Sequence, residues 1–404
     1  MKIASASVCI FLASTCGRAA TGGDGPCAAL QQAATAAAPG SGPRFAVSYP
    51  GDTHPALAHS AFTYDNALTA IALVACGHTE NARLIGDALA LAAGGDRTFQ
   101  DGRIRNAYRA GAAATPPLPP GWWDDKANQW AEDAYQDGSA TGNVAWAALA
   151  LLTLHEATGE VRYRDRAAGL MRWVADLMAD PAMPGGYIGG VSGFDPAQQR
   201  LNYKATEHNI DAAAAFAWLA RLTGDAAWSR HAALARGFVD AAWNGDEGRF
   251  LIGTKPDGRT LDRTSGALDI QLWPHLAFPD APGAWRRSLA WVEARHAVGG
   301  GFDFNDDRDG VWIEGTAQAA LTYKALGQPA KAQAALDTVL AAAGPGGLLY
   351  ATAAGTVSTG LAVGPASTTD DFRYYHQPHL GATAWAALAQ AGWNPFTGKR
   401  VGQP

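Results

Sequence analysis

NVAWAALALLTLHEATG, residues 143–159, has the spacing of a helix but carries apolar side chains around its whole circumference. The same property recurs in NIDAAAAFAWLARLTG at 209–224, EGTAQAALTYKALG at 314–327 and GATAWAALAQAG at 381–392. A helix that is apolar on every side must be buried, whereas an amphipathic helix lies at the surface. Amphipathic stretches such as VRYRDRAAGLMRWVADLM at 161–178 follow them, so the sequence predicts hairpins of one inner and one outer helix.

These predicted hairpins repeat along the chain. An early helix covers 27–38, and inner helices then begin near residues 65, 143, 209, 269, 315 and 381, roughly 60 residues apart. The predicted inner and outer pairs are 64–75 with 80–93, 143–157 with 161–178, 207–222 with 226–243, 268–278 with 282–297, and 314–326 with 329–343, followed by a last helix at 380–391. If the first helix is the outer partner of the last, about twelve helices close a ring and no terminal hairpin leaves its apolar side exposed.

This layout resembles the (α/α)6 toroid, the ring of six helical hairpins used by many glycoside hydrolases, some polysaccharide lyases and sugar epimerases, and in related form by terpene cyclases. The resemblance implies an all-α fold with inner and outer rings and short β-hairpin loops at the active-site face. It implies a single catalytic domain at 21–404. The resemblance is one of architecture, and no family signature matches residue by residue, so catalytic residues must be proposed from their own chemistry.

In such a ring all inner helices run in one direction, so the polar residues at their N-termini meet on one face. Acidic and amide side chains in a first helical turn also cap free backbone N–H groups and favour the helix dipole, which explains each of them individually without a function. Capping does not explain a lysine, histidines and aromatic rings at the same positive ends. The sequence therefore predicts a funnel lined by Tyr64, Asp65, Asn66, Asp133, Asn143, Lys204, Glu207, His208, Asp269, Gln271, Trp312, Glu314, Tyr375 and His379.

Carboxylates, amides and aromatic rings together are typical of a carbohydrate site, because sugar rings stack on aromatic faces and hydroxyl groups pair with polar side chains. Two loop residues are further candidates for substrate contact, Trp122 in PPGWWDD and Tyr187 in GGYIGG, and ordinary loop packing explains them equally well. We expect a poly- or oligosaccharide as the binding partner.

Hydrolysis of a glycosidic bond requires one protonated and one ionised carboxyl group. Lys204, His208 and a helix N-terminus all favour the anion of Glu207, which is the predicted base. Glu314 follows an apolar segment and lies near an acidic run, so burial and like charge predict a raised pKa and the role of acid. Asp65 is the reserve for either role. A wide funnel leaves room for a water molecule, which predicts inversion.

Composition and the N-terminal segment narrow the function further. The chain has 48% hydrophobic and 17% charged residues with a net charge of −6, so we expect neither a nucleic-acid partner nor a cofactor. The start, MKIASASVCIFLASTCGRAA, is typical of a cleaved secretory signal at 1–20, or of a lipoprotein if Cys16 is lipidated. No later apolar run reaches the roughly 20 residues of a membrane span. We expect a secreted or periplasmic monomer.

The chain after the signal keeps two cysteines, Cys27 and Cys76. In an oxidising compartment such a pair predicts one disulfide. Two separate buried thiols are the alternative, because Cys76 ends an apolar helix in which free cysteine also packs well.

The acidic segment GFDFNDDRDGVW at 301–312 is similar to the start of a calcium loop. Counted from Asn305, with Asp307 and Asp309 before Gly310, the twelfth residue is Thr316 and not the glutamate that completes such a loop. We therefore expect a solvated acidic turn or a substrate contact here, and no metal.

Two other functions fit the same polar face. A polysaccharide lyase would use Tyr64, Tyr375 or His208 to remove a proton beside an anionic uronate. The cations expected near the funnel to neutralise that substrate are Lys204, Arg308 and Arg373. A non-catalytic sugar-binding protein of the cell envelope would bind a glycan without forming a product. The expected substrates of epimerases and terpene cyclases fit secretion less well.

Overall fold

The computed structural model describes residues 25–402, except 265, 366, 368, 370 and 371. The predicted signal segment at 1–20, with Cys16, lies outside the described residues. The helices are α1 (Pro26–Ala36), α2 (Thr63–Ala75), α3 (Thr79–Ala92), α4 (Ala134–Asp137), α5 (Thr141–Thr158), α6 (Val161–Trp173), α7 (Thr206–Thr223), α8 (Ala226–Ala242), α9 (Asp269–Leu272), α10 (Pro274–Ala277), α11 (Arg287–Arg295), α12 (Ile313–Ala325), α13 (Pro329–Leu340) and α14 (Leu380–Ala391). Turns of other helix types cover Val174–Met178, Gly283–Arg286 and Pro345–Gly347. No helix in the described part combines the length and apolarity that crossing a membrane requires.

The helices form two concentric rings. The inner ring consists of α2, α5, α7, the short pair α9 and α10, α12 and α14, and each packs on the next. The ring closes because α14 packs on both α12 and α2. Outside it, α3, α6, α8, α11 and α13 pack on the inner helix that precedes each of them, and α1 packs on α14. The predicted toroid, with the first helix as outer partner of the last, is confirmed.

The two rings differ in composition because they differ in surroundings. An inner helix touches two inner neighbours, an outer helix and the interior of the ring, so every residue of α5 from Val144 to Leu154 is buried. Its alanines let neighbouring backbones approach closely. In the outer helix α6 the buried stripe follows the helical period through Tyr163, Ala167 and Leu170, and the rest is largely solvated.

The fourth inner element departs from the prediction of one continuous helix at 268–278. The structure has α9 and α10 with a break at Trp273, because Pro274 has no N–H to donate and its ring crowds the preceding turn. Trp273 itself keeps helical backbone angles, φ −62° and ψ −32°, so the two pieces continue in one direction. Asp269 therefore still stands at an inner N-terminus.

Short antiparallel strands connect the helices. The paired strands are Arg44–Phe45 with Gly111–Ala112, Ser60–Phe62 with Ala107–Arg109, Trp122–Asp124 with Gln129–Ala131, Ala179–Asp180 with Gly186–Tyr187, Trp243–Asn244 with Arg249–Phe250, Gly253–Thr254 with Leu261–Asp262, Ala297–Val298 with Gly301–Phe302, Val357–Leu361 with Phe372–Tyr374, and Trp393–Asn394 with Lys399–Arg400, and Gly190–Ser192 pairs with both Ser139–Ala140 and Gln199–Leu201. Pairs between an outer helix and the next inner helix lie on the face where the inner N-termini open, as predicted. The pair after α14 follows an inner C-terminus and lies on the opposite face.

Amide side chains at the starts of inner helices hold these connections in place. The side chain of Asn66 donates to the carbonyl of Ala46 (3.0 Å) and accepts from the N–H of the same residue (2.9 Å). Asn209 and Gln271 each bond both backbone groups of one extended residue in the same way, at 2.8 to 3.0 Å. A buried amide thus satisfies two backbone groups that would otherwise need a neighbouring strand.

The long connection between α3 and α5 is held by a buried ion network. The guanidinium of Arg105, which is fully buried, donates to the carboxylates of Asp96, Asp137 and Asp195 at 2.6 to 3.0 Å. Arginine suits this position because its planar group reaches several carboxylates at once. This ion network fixes the loops that precede α5.

Cys27 in α1 and Cys76 at the end of α2 form a disulfide, with Cα atoms 5.9 Å apart. The predicted bond is confirmed. It joins the first outer helix to the first inner helix, next to the contact at which α14 closes the ring.

Replacing Cys27 and Cys76 together by serine should lower the free energy of unfolding by about 2–4 kcal/mol, because the cross-link restricts the unfolded chain. The two cysteines are 49 residues apart. Urea unfolding followed by tryptophan fluorescence measures the change. Reduced wild-type protein should match the double variant, which itself should not respond to reductant. An unchanged free energy of unfolding would contradict a stabilising role for the bond.

Candidate active site

A cavity of about 650 Å³ opens on the face where the inner helices begin. Every element of the inner ring contributes a polar residue at or near its N-terminus: Asp65 of α2, Asn143 of α5, Glu207 of α7, Asp269 of α9, Glu314 of α12 and His379 before α14. The scattered sequence positions are thus brought to one site by the common direction of the inner helices.

Most of the predicted funnel lines this cavity. The predicted residues found in its lining are Tyr64, Asp65, Asp133, Asn143, Glu207, His208, Asp269, Trp312, Glu314, Tyr375 and His379. Asp133 is also the N-cap of α4, where its carboxylate accepts the N–H groups of Tyr135 and Gln136, both at 3.0 Å. Helix capping alone therefore explains the presence of an aspartate at Asp133.

Four predicted contact residues lie outside the lining: Asn66, Trp122, Tyr187 and Gln271. The two amides bond backbone groups, as described above. Tyr187 is fully buried, and its hydroxyl lies 2.8 Å from Nδ1 of His231 on α8, behind the inner ring. Trp122 is half-buried in its strand, and the exposed rings of that hairpin belong to Trp123 and Trp130. These four positions correct the predicted lining.

Lys204 also lies outside the cavity, and it does not face Glu207 as expected. It is fully buried, and its ammonium group donates to the carbonyls of Ala182 (2.9 Å) and Pro184 (2.7 Å) and pairs with Asp180 (3.0 Å). Successive side chains of an extended segment point to opposite sides, so proximity in sequence to Glu207 did not bring the two charges together. The expected lysine is therefore not beside Glu207, and His208 is the basic residue that contacts it.

The first of two acidic clusters in the cavity surrounds Glu314. Its Oε1 accepts a hydrogen bond of 2.7 Å from the hydroxyl of Tyr64, which in turn accepts one of 2.9 Å from the indole N–H of Trp385. The imidazole of His379 lies between two carboxylates, with Nε2 3.3 Å from Asp65 and Nδ1 3.7 Å from Glu314. Glu314, Asp65 and His379 are each at most 3% exposed.

Burial dominates the protonation of this cluster. It raises the pKa of Glu314 to about 7, and the nearby charge of Asp65 adds to this effect while His379 opposes it. Burial by itself would lower the pKa of His379, but the adjacent Asp65 and Glu314 outweigh burial and raise it. Glu314 is thus a carboxyl group that holds its proton near neutral pH.

The second cluster surrounds Glu207, on the neighbouring side of the ring. Glu207 lies 3.2 Å from Nε2 of His208 and hydrogen-bonds Asp269, and Asp211 follows one helical turn later. The side chain of Glu207 is 37% exposed, whereas Asp211 and Asp269 are buried. The exposed carboxylate of the group therefore meets solvent and substrate first.

Burial and neighbouring charges decide which carboxyl groups of this second cluster are ionised. Burial opposes ionisation of Glu207, but the hydrogen bond and charge of His208 outweigh it and lower the pKa of Glu207. Burial and the negative charge of Glu207 raise the pKa of Asp269 and of Asp211 well above the usual range. Glu207 is therefore the ionised member, and Asp269 shares a proton with it.

Aromatic residues form the walls and floor of the cavity. Trp146, Trp273 and Trp385 belong to different inner elements and meet with ring centroids 5.5 to 5.9 Å apart, with Phe396 below them. This cluster fills the centre of the ring. Along the wall, Tyr49 stacks on His379 at 4.5 Å. The cavity is therefore a pit with an apolar floor rather than a channel.

Sequence reasoning missed Tyr49, Asp211 and Tyr374, which all line the cavity. A signal existed for Asp211, because it stands four residues after Glu207 and therefore on the same face of α7. Tyr49 and Tyr374 lie in connections with no helical period, and nothing in the sequence distinguishes them from packing residues. Among the described residues, the side chains spaced to hold a metal ion are Asp303, Asp307 and Asp309, which lie outside this cavity.

Comparison with known proteins shows which solved structures share this architecture. No protein-family model and no curated protein matches the chain. Solved structures do match. A glycosidase shares 16% identity over 90% of this chain and 96% of its own, with a TM-score of 0.56. A GH76 alpha-mannanase from Bacteroides thetaiotaomicron shares 13% identity over 91% and 94%, with a TM-score of 0.57. The chain has an (α/α)6 toroid fold.

A cellobiose 2-epimerase from Bacillus thermoamylovorans matches equally well in shape, with 10% identity over 85% of this chain and 91% of its own and a TM-score of 0.58. Toroids of different activity thus resemble the chain to a similar degree. At 10–16% identity the likeness is one of fold, and the activity has to be argued from the side chains in the cavity.

Replacing Glu314 by glutamine should flatten the pH dependence of stability. Glu314 has a pKa of about 7 in the folded protein against an ordinary value of 4.5, so its contribution is fully present below pH 4.5 and is lost as the pH rises through 7. The loss amounts to about 3 kcal/mol by pH 8. Urea unfolding of both proteins at pH 4 and pH 8 measures it.

Asp211 contributes to the pH dependence of both proteins, because its pKa is raised by burial and by the charges of Glu207 and Asp269. The difference between the two proteins therefore reports Glu314 together with its coupling to Asp269 and His379. Parallel pH dependence in the two proteins would show that Glu314 is ionised across this range.

Proposed function

We propose that the protein is a glycoside hydrolase that cleaves a poly- or oligosaccharide by general acid and base catalysis. The observation that carries this proposal is the pair of glutamates in one aromatic cavity, Glu314 with a pKa raised to about 7 and Glu207 with a lowered pKa. Hydrolysis at neutral pH requires one carboxyl group in each state. Both glutamates stand at inner-helix N-termini on a rigid scaffold.

In the proposed reaction Glu314 gives its proton to the glycosidic oxygen as the bond to the anomeric carbon breaks. Glu207 accepts a proton from a water molecule, and the oxygen of that water forms the new bond to the anomeric carbon. The products are the leaving sugar, whose new hydroxyl group carries the proton from Glu314, and a sugar with a free reducing end. Tyr64 positions Glu314, since its hydroxyl donates to Oε1, whereas the buried Oε2 has no hydrogen-bond partner among the described residues and is the oxygen free to carry the proton.

The charge of the cavity favours a neutral glycan. Its lining includes the carboxyl groups of Asp52, Asp65, Asp133, Glu207, Asp211, Asp269 and Glu314, with Arg373 as the one lysine or arginine among the described lining residues. Lys204 is turned to the opposite side, and the guanidinium of Arg308 donates to the carbonyls of Ala294 and Arg295. An anionic uronate would be repelled, which counts against a polysaccharide lyase.

We also propose that the protein works in the periplasm or outside the cell. The disulfide between Cys27 and Cys76 supports an oxidising compartment, because the cytosol keeps thiols reduced. The N-terminal sequence pattern points the same way.

Activity on a panel of neutral glycans, with chromatography of the products, tests the function. On the substrate found, Glu314→Gln and Glu207→Gln should each lower kcat by about 10²–10⁴-fold, because each removes one proton-transfer group. On a dinitrophenyl glycoside, whose leaving group needs no proton, Glu314→Gln should recover most activity and Glu207→Gln should not. Glu80→Gln, an exposed change in α3, is the matched control.

Tight glycan binding without any product in the wild type would instead identify a sugar-binding protein. Full turnover by Glu314→Gln on a natural glycan would remove this residue from the acid role.

The geometry supports inversion at the anomeric carbon. Glu207 and Glu314 belong to inner helices that are separated by α9 and α10, so the two carboxyl groups stand on elements that are not neighbours, which favours the wider separation of an inverting pair. We expect proton NMR of the first product to show the anomeric configuration opposite to that of the substrate.

A retained configuration would transfer the second role to Asp65. A Cβ atom on Gly381 would lie 2.8 Å from Oδ1 of Asp65 and 2.8 Å from Oε2 of Glu314, so these two oxygens are at most twice that distance apart. Carboxyl groups about 5 Å apart are typical of retaining enzymes.

A further inference from the structure

Outside the cavity, the segment before α12 gathers three carboxylates. Asp303, Asp307 and Asp309 each offer one oxygen, and these oxygens all lie within 4.8 Å of one another. Two of the residues are exposed, so their proximity alone indicates only an acidic turn. Asp303 differs, because it is fully buried.

The buried carboxylate of Asp303 is left half-satisfied. Its Oδ1 accepts the N–H of Phe304 at 2.6 Å, while Oδ2 is buried and has no donor within reach among the described residues. The carboxylate of Asp307 lies close to Asp303, and it offers only acceptor oxygens unless one of the two groups holds a proton. Two carboxylate oxygens that face each other, one of them on a buried residue, need either a proton or a cation between them.

The backbone of this segment has the turn that calcium loops use. Counted from Asp303, acidic and amide residues occupy positions one, three and five, which supply side-chain ligands in such a loop, and Asp309 stands at position seven, where the loop uses a backbone carbonyl. Arg308, at position six, has φ 60°, where calcium loops place a glycine to make their sharp turn. The twelfth residue is Glu314, which bonds Tyr64 in the cavity instead. A count that begins at Asn305 leaves out Asp303 and therefore does not show this pattern.

We propose that Asp303, Asp307 and Asp309 bind one divalent cation, and Ca²⁺ in preference to Mg²⁺. Carboxylate oxygens are hard ligands that suit these two ions rather than zinc or copper. A site of three carboxylates on a partly exposed turn accommodates the longer and more variable bonds of Ca²⁺, with water as the remaining ligands, better than the strict octahedron of Mg²⁺.

The cation would join two parts of the active-site face. Asp307 accepts a hydrogen bond of 2.8 Å from the hydroxyl of Ser358, and Asp309 accepts one of 2.9 Å from its N–H. Ser358 lies in strand Val357–Leu361, which pairs with Phe372–Tyr374, and residues of both strands line the cavity. The bound ion would therefore fix this wall relative to the segment that leads into Glu314.

Calcium titration of the full chain, stripped of metal with EDTA and dialysed, tests the site. We expect one equivalent of Ca²⁺ to bind with Kd on the order of 10⁻⁴ M and to raise Tm by about 3 °C at 5 mM. Mg²⁺ should bind at least tenfold more weakly. Asp303→Asn and Asp307→Asn should each weaken Ca²⁺ binding at least tenfold.

The matched control is Asp306→Asn, because Asp306 is an exposed carboxylate of the same turn that does not belong to the three-carboxylate group. This variant should bind Ca²⁺ like the wild type. The proposal is overturned if the wild type shows neither a binding heat nor a Tm shift, or if Asp306→Asn loses Ca²⁺ to the same degree as Asp307→Asn. Neither readout uses catalytic activity, so the outcome is independent of the proposed hydrolase.

Discussion

Six N-termini of inner helices point into one basin when the ring closes, and each carries a partial positive charge of about half an elementary charge. These ends would repel one another if nothing compensated them. Asp65, Glu207, Asp269 and Glu314 stand in the first turns of their helices, and those that are ionised supply negative charge. The acidic character of the cavity is thus favoured by the architecture, although α5 and α14 have no acidic residue in their first turns.

Compensation of the dipoles does not settle which carboxyl groups are ionised. The cavity is aromatic and largely buried, so several adjacent anions cannot all persist there. Two histidines divide the group: His379 lies between Asp65 and Glu314, and His208 contacts Glu207. The result is one protonated glutamate and one ionised glutamate in the same pit, which is the division of charge that the proposed hydrolysis uses.

The remaining polar residues of the face maintain this arrangement rather than take part in it. Asn66 and its counterparts on α7 and α9 hold the connecting strands against the helix starts, and Arg105 fixes the long loop before α5. The aromatic floor blocks the centre of the ring. Because the proposed calcium turn bonds Ser358 in a wall strand, it would extend the same kind of support to the segment that carries Glu314.

Helix periodicity and composition alone determined the architecture of this protein. The apolar circumference of α5, α7, α12 and α14 requires burial on all sides. This requirement depends only on the local sequence, so it holds in any fold that contains these helices. The same pattern correctly placed Asp65, Glu207, Glu314 and His379 at one mouth, because the common direction of inner helices follows from their alternation with outer ones. The break at Pro274 within the fourth inner element and the short helix α4 were missed.

Tertiary structure decided which polar side chains enter the cavity. Lys204 turns away from Glu207, Asn66 bonds backbone, and Tyr49 arrives from a connection that no period predicts. These outcomes depend on side-chain direction in irregular segments and on partners distant in sequence, such as Asp180 for Lys204. The protonation states also depend on the tertiary structure, because the carboxyl groups become buried and acquire their charged neighbours only when the ring closes.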